Sequence, residues 1–526
     1  MTSRNPSITL FVVVLTCIAV LPAAAQSFRV QCPATTITHP ATLHDNNAEP
    51  AYTAKTTLAL NTKGFLAPTA NVNGAIKCQQ ISGGDGYATM GDGTQTFMFS
   101  FGPLSGLSDM ANGLPGTEFP NVFNTVYPGV LQPGDPATTG LGSFTWNGAV
   151  GLVPDTDAIA DGLCSAPCLN GHVDPRQLMD VGVMNGNIPA PLMAIDEDDE
   201  FFLTLSNVGM IMRPDLFEQH TVHFHGYPNA SSFYDGVPDA SVAINIGASF
   251  TYYYLAPDAG TYFFHCHITP PEHLQMGMVG QLYVRPRQNR VPSTMTLYAG
   301  LQAQQTDLRT ACNSAADILC SNPLPAVVTS ATGGGKYAYN DGDGSTYYDV
   351  EYPIQIHGFD PNFHFVGMTF NPEGFTDMKD KYFLLNGRSY PDTVTPGPLQ
   401  TTSADGASHF SQPLPSIINI PAGGKALLRI SDLDVTEYQT LASLGIPMKV
   451  VGYNAKLLRD QSGNNLYYNT NSITLGGGES LDVILDASNA ALYPSGSVYY
   501  LYTPNLDHLS NDAENFGGLM TEVHIN

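Results

Sequence analysis

Basic residues are scarce in this sequence, and their scarcity excludes some partners. The 526 residues contain 20 Lys+Arg against 46 Asp+Glu, a formal net charge of -26. An acidic balance of this size disfavours binding to nucleic acid and to anionic membrane surfaces, and it favours solubility and cationic partners. We therefore expect neither a nucleic acid nor a membrane partner.

Long apolar runs are also lacking. Residues 8–20 form an apolar run that is too short for a transmembrane helix, and no later apolar segment is long enough. Arg4 precedes this run and small residues at positions 22–25 follow it, which is the pattern of a secretory signal peptide. We expect residues 1–26 to be a signal peptide and the protein to be exported to the periplasm, the cell surface or the extracellular space.

Cysteines are few, with eight in the whole chain. Cys17 falls in the predicted signal and Cys266 stands among histidines. The others are Cys32, Cys78, Cys164, Cys168, Cys312 and Cys320. An even number in an exported chain suggests disulfides. Short spacing favours pairing of Cys164 with Cys168 and of Cys312 with Cys320, which leaves Cys32 for Cys78.

Turn-forming residues, in contrast to basic residues and cysteines, are abundant. The chain has 51 Gly and 39 Pro, which indicates many turns and a β-rich architecture, and its 43% hydrophobic content suits globular cores. Residues 86–90 and 94–101 alternate like the strands of a hairpin, with Gly91-Asp92-Gly93 as the turn. We place the opening of the first domain at this hairpin.

Six of the fourteen histidines lie in two short stretches. One stretch is His220-Thr221-Val222-His223-Phe224-His225-Gly226. The other begins at His265-Cys266-His267 and continues through His273 to Gly277-Met278. Clusters of His and Cys at close spacing are typical of metal sites, so metal binding is the strongest functional signal in the chain.

Strand alternation sorts these residues into two groups. The aromatic segment before Cys266 is β-prone, so His265 to His267 should end a strand. Successive side chains of a strand point to opposite faces. Cys266 should therefore face away from His265 and His267, whereas His223 and His225 should share a face.

Two metal sites follow from this sorting. The first can collect Cys266, His220, His273 and a methionine, and a thiolate with two imidazoles and a long axial Met makes a blue-copper electron-transfer site. The second can collect the four paired histidines. Its imidazoles suit copper, zinc or iron.

The two stretches resemble the motifs of the multicopper oxidases, H-x-x-H-x-H-G and H-C-H…H…G-M. The resemblance implies copper as cofactor, with type 1 ligands at His220, Cys266, His273 and Met278. It also implies half of a trinuclear copper centre, at which oxygen is reduced, at His223, His225, His265 and His267. Cys266 would carry electrons to the histidines that flank it.

Two features depart from the family pattern. The loop from Cys266 to His273 is longer than the family's common form, which leaves Met276 as an alternative to Met278 for the axial ligand. The family's trinuclear centre also needs four paired histidines from another domain. This chain does not contain them.

A further segment resembles the family around Asp235. The sequence Asp235-Gly236-Val237-Pro238 is similar to a D-G-V-P segment whose Asp lies near the trinuclear copper and helps to deliver protons. Asp235 is thus a candidate catalytic proton relay, although Asp-Gly is also ordinary turn chemistry. Residues 184–191 resemble the family's N-G-x-x-P-x-P segment, and the acidic run 196–200 would be the turn that follows.

We predict an all-β protein with two cupredoxin-like Greek-key β-sandwich domains. Residues 27–79 are predicted to be an irregular N-terminal segment, and residues 80–286 the copper-binding cupredoxin domain with a long insertion at about 103–180. Residues 287–350 are predicted to be a linker. Residues 351–526 are predicted to be a second cupredoxin-like domain without type 1 copper, because segments such as Phe383-Leu384-Leu385-Asn386-Gly387-Arg388 resemble the noncatalytic middle domain of the family.

The resemblance implies a secreted copper oxidoreductase that takes electrons from a small reducing substrate or a protein electron donor and passes them to oxygen. One alternative is an enzyme like copper nitrite reductase, in which His357, His364 or His508 would supply a ligand to a neighbouring subunit. Another is a non-enzymatic blue-copper electron carrier or copper-binding protein. Both enzyme hypotheses would gain from a homo-oligomer, or from a partner chain that completes the second copper site.

Overall fold

A computed structural model gives the fold of the chain. It describes residues 35–46, 49–104, 184–228, 231–256, 258–304, 325, 330–368, 374–404, 406, 408–512 and 514–526. The predicted signal, most of the predicted insertion, and the pairs Cys164 with Cys168 and Cys312 with Cys320 lie outside these residues. Cys78 is disulfide-bonded, and its predicted partner, Cys32, also lies outside them.

The described part of the chain is mostly β-structure. The strands of its first half are β1 Thr57–Leu60, β2 Leu66–Ala70, β3 Ile76–Thr89, β4 Gln95–Pro103, β5 Ala190–Asp196, β6 Glu200–Gly209, β7 His223–His225, β8 Ser249–Leu255, β9 Gly260–His265 and β10 Val279–Arg285. The helices are α1 Pro270–Gln275, α2 Leu297–Gln304 and α3 Pro361–Met368, with 3-10 turns at Ser232–Tyr234, Arg287–Arg290, Phe375–Asp377 and Asp392–Val394. None of the described helices is long and apolar enough to cross a membrane.

The second half continues the same pattern. Its strands are β11 Lys336–Tyr337, β12 Tyr347–Tyr348, β13 Val350–Phe359, β14 Tyr382–Leu385, β15 Leu399–Thr402, β16 Ser408–Gln412, β17 Ile418–Ile420, β18 Lys425–Asp432, β19 Gln439–Leu444, β20 Met448–Tyr453, β21 Lys456–Leu457, β22 Tyr468–Thr470, β23 Ser472–Leu475, β24 Glu479–Asp486, β25 Val498–Tyr502 and β26 Met520–Ile525.

Two β-sandwiches with matching topology account for most strands. The first combines the sheets β4-β3-β6-β8 and β5-β10-β9-β7, and the second combines β14-β13-β18-β24-β20-β21 with β17-β26-β25-β19-β23. In each sandwich, one sheet holds a parallel pair flanked by antiparallel neighbours (β3 with β6, β13 with β18). The other sheet has a parallel pair at its edge (β5 with β10, β17 with β26). The all-β, cupredoxin-like prediction is confirmed.

Aromatic alternation builds the core beneath the histidine stretches. In β9 and β7 the inward residues Phe264 and Phe224 are fully buried. Phe224 stacks on Tyr254 of β8 with ring centroids 3.8 Å apart. Aromatic pairs of this kind add stability beyond the area they bury. The rigid layer holds the two strands that carry the histidines in a fixed register.

The two sandwiches are packed against each other through polar and apolar contacts. Gln281 donates to the carbonyl oxygen of Arg429 at 2.7 Å, and Thr261 donates to Asp482 at 2.6 Å. Phe263 and Leu433 belong to one buried cluster that both sandwiches share. The face of β9 near the histidines is therefore covered by the second sandwich rather than by solvent.

The N-terminal segment is more regular than predicted. Residues 27–79 were expected to be irregular, but β1 and β2 pair there as an antiparallel hairpin, and β3 begins at Ile76. The hairpin is mostly exposed on both faces, so it lacks the alternation that marks a half-buried strand. The first part of β3 was missed because its buried residues include Lys77, Gln79 and Gln80, whereas the end of β3 and β4 form the predicted hairpin.

The acidic run at 196–200 forms the predicted turn between β5 and β6, but it is buried. Lys77 Nζ lies 2.8 Å from Asp196 and 2.5 Å from Asp199, and Arg287 pairs with Asp198 at 2.5 Å. These cations neutralise the carboxylates, so the run is a structural ion-pair network. Arg287 comes from the start of the predicted linker, and this part of the linker packs on the first sandwich.

Candidate metal centre

Strands β7 and β9 bring the four paired histidines together. The strands are antiparallel, and His223 lies directly opposite His265. The ring of His223 is 5.2 Å from that of His265 and 5.1 Å from that of His267, measured between centroids. His225 lies 5.6 Å from His265. We call these four residues the histidine group.

Three members of the histidine group are placed to share a metal ion. One ring nitrogen each of His223, His225 and His265 lies within 4.8 Å of the other two. Burial is the main cause that lowers the pKa of His225 to about 4 and that of His265 to about 3. Both imidazoles are therefore neutral at neutral pH, and a neutral imidazole is the form that binds a metal.

A second set of ligand atoms lies on the other side of the strand. The metal-binding atoms of His220, Cys266 and His273 lie within 4.8 Å of one another, and all three side chains are fully buried. Nδ1 of His273 is 3.2 Å from Sγ of Cys266. The backbone N–H of Thr221 donates to the same sulfur at 3.4 Å. We call these three residues the cysteine group.

His273 reaches the cysteine group from a helix that the sequence pattern did not predict. The residues that lengthen the loop after Cys266 fold into α1, which starts with two prolines at its first positions. Proline is favoured there because its fixed φ suits the first turn and the missing N–H has no intrahelical partner. The longer loop thus becomes a helical turn that still returns His273 to the sulfur.

The electrostatics of the cysteine group favour a thiolate. Burial acts to raise the pKa of Cys266, but His273 and His220 outweigh it and hold that pKa well below its ordinary range. Burial likewise acts to lower the pKa of His273, while the Cys266 thiolate and Glu218 raise it to about 10. The thiolate is the form of cysteine that binds metals.

The structure distinguishes the two candidate methionines. A Cβ placed on Gly83 would lie 2.7 Å from Cδ2 of His220 and 3.4 Å from Cε of Met278, so these two side chains meet over the same glycine. The backbone carbonyl of Met278 accepts from the N–H of Cys266 at 3.2 Å. Met276 instead lies over Gly367, where a Cβ would be 3.4 Å from its sulfur.

We expect the Met278→Leu variant to keep the visible colour of a copper-loaded protein and to raise its reduction potential. A weak axial thioether tunes the potential of such a site without holding the metal alone. Potentiometric titration of the visible band measures the change. Met276→Leu is the matched control, and a shift in the control with none in Met278→Leu would reverse the assignment.

Gly83 on β3 is a functional position that the sequence pattern did not reveal. No motif marks it, because its importance comes from contact with His220 across the sandwich. A Cβ at 2.7 Å from the His220 ring is closer than side chains tolerate, so either the ring or β3 would have to move. Gly83 thus leaves room for the imidazole to face the sulfur.

We expect Gly83→Ala to weaken copper binding in the cysteine group by about 10- to 100-fold, the usual effect of disturbing a residue that orients a ligand. Competition with a copper chelator measures the affinity, and circular dichroism checks the fold. Gly374→Ala is the matched control, since that glycine is exposed and has an ordinary φ of -72. Unchanged affinity in Gly83→Ala would contradict the role given to Gly83, because it would show that the His220 imidazole does not depend on the space above this glycine.

Asp235 lies beside the histidine group. Its carbonyl oxygen is 2.7 Å from Nδ1 of His223, and its carboxylate is 3.4 Å from the same nitrogen. The neighbouring Gly236 has a φ of 78, and a Cβ there would lie 2.0 Å from the carbonyl oxygen of Val222. The Asp-Gly turn therefore holds Asp235 against His223, in contact with one of the candidate ligands.

A cavity of about 520 Å³ opens beside the histidine group. The first sandwich contributes His225 and His265 to its walls, and the second contributes Asp434 and Glu437. Nε2 of His508 lies 2.8 Å from the carboxylate of Glu437. The cavity gives small molecules a place next to the histidines, facing an acidic wall.

The second sandwich has no counterpart of either group at the equivalent register. Ala442 lies opposite Tyr502 just as His223 lies opposite His265, and Leu444 takes the place of His225. Thr503 then follows Tyr502 where Cys266 follows His265. These side chains offer no imidazole or thiolate at those positions.

The ligand set fits copper. The ring nitrogens of His220 are buried and make no hydrogen bond to any of the described residues, which is rare for buried polar atoms unless another partner is intended. A thiolate, two imidazoles and a nearby thioether are the donors of a blue-copper site, and the histidine group offers imidazoles that copper also accepts. Residues 184–285 thus contain the features of a blue-copper sandwich.

The multicopper oxidase family model, Cu-oxidase_3, matches residues 170–289, the part that contains both groups. Over this stretch, the resemblance to the multicopper oxidases that was read from the motifs is confirmed. Copper is the cofactor of that family.

Multicopper oxidases and laccases of known name match stretches of similar length. The multicopper oxidase MCE of Talaromyces pinophilus is 34% identical over 120 residues, which cover 22% of this chain and 18% of the relative. Laccase abr2 of Aspergillus fumigatus is 33% identical over 109 residues, covering 20% of this chain and 17% of the relative. The chain thus spans less than a fifth of the length of these two relatives.

Solved structures are also similar. The blue copper oxidase of Nitrosomonas europaea is 21% identical with a TM-score of 0.43, over 65% of this chain and 78% of that one. The multicopper oxidase mgLAC is 16% identical with a TM-score of 0.47, over 86% of this chain and 87% of that one.

Proposed function

We propose that the protein is a copper oxidoreductase that takes electrons from a reducing substrate at the cysteine group and passes them to a metal held by the histidine group. The observation that carries this proposal is the position of Cys266. Its sulfur faces His273 at 3.2 Å, and its carbonyl oxygen accepts from Nδ1 of His265 at 2.8 Å. A single residue thus joins the two groups through its own backbone.

Each residue of the two groups has a separate proposed role. Cys266, His220, His273 and Met278 would hold the copper that receives electrons, which when bound supplies one-electron redox chemistry. Thr221 positions the thiolate through its N–H. Asp235 holds the tautomer of His223 through its carbonyl oxygen, and its carboxylate is placed to pass protons at the histidine group.

The electron donor would approach at His273. The carboxylate of Glu218 lies 3.5 Å from Nε2 of His273 and is one quarter exposed, at 25%. Phe217 beside it is almost wholly exposed. A carboxylate at this edge favours a cationic reducing substrate or donor protein over an anionic one.

We propose oxygen as the acceptor and an exported location. The disulfide at Cys78 favours an oxidising compartment. The test is oxygen consumption by the copper-loaded protein with a reducing dye, against a protein loaded with zinc. Oxygen uptake that depends on the dye and occurs only in the copper-loaded protein supports the proposal. If neither the copper-loaded nor the zinc-loaded protein consumes oxygen or oxidises the dye, the proposal is contradicted.

Reduction of nitrite is the second candidate function, and two observations weigh against it. His364 and His508 make hydrogen bonds inside their own chain with both ring nitrogens, and His357 is buried with Nδ1 3.1 Å from the carbonyl oxygen of Leu433. Burial and these contacts within their own chain disfavour a role for the three histidines as ligands of a neighbouring subunit. The acidic cavity wall also disfavours an anion such as nitrite.

A further inference from the structure

The family resemblance implies half of a trinuclear centre, but the surroundings of the histidine group do not fit the other half. Opposite His225, the second sandwich presents the segments 433–438 and 476–478, which contain no histidine. A Cβ on Gly478 would lie 3.5 Å from Nε2 of His225. The chain's own backbone therefore closes that side of the imidazole.

Hydrogen bonds fix which nitrogens are left to bind a metal. A carbonyl oxygen can only accept, so Nδ1 of His265, 2.8 Å from the carbonyl of Cys266, carries the proton. Nδ1 of His223, 2.7 Å from the carbonyl of Asp235, carries it for the same reason. The lone pairs of these two imidazoles are therefore on Nε2.

His225 completes a convergent set. Its Nδ1 lies 3.3 Å from Nε2 of His265 and donates a hydrogen bond to it, since that Nε2 can only accept; a metal ion bound by both nitrogens would replace this proton. Its other nitrogen faces Gly478. At metal–nitrogen bonds of about 2.0 Å, two imidazole nitrogens bound to one ion at a tetrahedral angle lie about 3.3 Å apart. His225 and His265 thus point at a common position, and one ring nitrogen of His223 lies within 4.8 Å of a ring nitrogen of each.

His267 stands apart from this set. Its ring stacks beside His265 at 5.6 Å between centroids, and its side chain is half-buried. The group of nitrogens within 4.8 Å of one another contains the other three histidines.

We propose that the histidine group of one chain binds a single copper ion through Nε2 of His223, Nδ1 of His225 and Nε2 of His265, with its open position toward the cavity. This rests on the proposed function for the identity of the metal. It differs from the trinuclear centre that the resemblance implied, because the second sandwich fills the place of the missing histidines with Gly, Asp and Glu.

The test uses the full chain with Cys266→Ser, which removes the cysteine group and leaves the histidine group intact. Copper per chain is measured by elemental analysis, and Cu(II) is counted by electron paramagnetic resonance. We expect one copper per chain, all of it visible in the resonance spectrum, because an isolated Cu(II) has no neighbour to couple with. Three coppers per chain, or a pair that is silent by magnetic coupling, would overturn the proposal.

Single substitutions in the same background test the ligand set. We expect His225→Ala to lose the copper and His267→Ala, the matched control, to keep it with little change in affinity. Loss of copper in both variants would overturn the proposal. The proposed function is judged separately, by oxygen consumption of the copper-loaded protein with Cys266 intact. No oxygen consumption there, with one copper per chain in the Cys266→Ser protein, refutes the oxidase and leaves the single-ion site intact. Oxygen consumption there, with three coppers per chain in the Cys266→Ser protein, supports the oxidase and overturns the single-ion site.

Discussion

Replacing Cys266 with Ser is expected to abolish the intense visible band of the copper-loaded protein and to stop turnover. The band of a blue-copper site requires a thiolate ligand, and Cys266 is the residue whose pKa the surrounding histidines hold down. A hydroxyl stays protonated at neutral pH and cannot replace the thiolate. Visible absorption and dye-dependent oxygen consumption measure the two losses.

The control for this variant is Met276→Leu, which changes another buried sulfur-containing side chain near the same helix. That variant should keep both band and turnover, because Met276 packs over Gly367 and not over the cysteine group. A Cys266→Ser protein that is still blue would disprove the thiolate assignment. One that is colourless yet fully active would show that electrons do not pass through Cys266.

The second large effect is expected from the double variant His265→Ala with His267→Ala. It should keep the blue band, lose the copper of the histidine group and lose oxygen consumption. The two losses follow because His265 supplies a ligating nitrogen and lies opposite His223, whereas the cysteine group faces the other side of the strand. Metal analysis, absorption and an oxygen electrode record the three readouts.

His524→Ala is the matched control for the double variant. His524 lies on β26, is partly exposed and pairs with Glu522 at 2.7 Å, far from both groups in the sandwich topology. It should change neither copper content nor oxygen consumption. If the double variant instead loses its blue colour while the control keeps it, the two groups are not separate sites.

Strand alternation predicted the core of the site because it is a local rule. The spacing of His223 and His225 and of His265 and His267 already places each pair on one face, and antiparallel pairing of β7 with β9 then brings the pairs together. The two-sandwich architecture was likewise predictable, from turn-rich composition and from segments that resemble the family. Neither inference needed a contact between distant parts of the chain.

The parts that were missed depend on such distant contacts. Gly83 matters because β3 crosses under His220, and no spacing in the sequence shows that approach. Met278, by contrast, was already implied by the resemblance, and the positions of both side chains favour it over Met276. The burial of the acidic run 196–200 is not visible in the sequence because its cations, Lys77 and Arg287, come from elsewhere in the chain.

The second sandwich repeats the fold of the first without its ligands. Its strands repeat the topology of the first, yet Ala442, Leu444 and Tyr502 stand where His223, His225 and His265 would be. The pairing register of the strands is the same in both sandwiches because it is set by their buried faces, whereas the residues at the ligand positions differ. Its role beside the histidine group is to form a wall of the cavity.

Stopped-flow spectroscopy tests the central claim, electron flow from the cysteine group to the histidine group, most directly. The copper-loaded protein is first bleached by a reducing dye without oxygen, then mixed with oxygenated buffer while the blue band is followed. We predict that the band returns rapidly in the wild type and only slowly in the His265→Ala, His267→Ala variant. Equal rates of return in the two proteins would contradict the account, because oxygen would then take electrons without the histidine group.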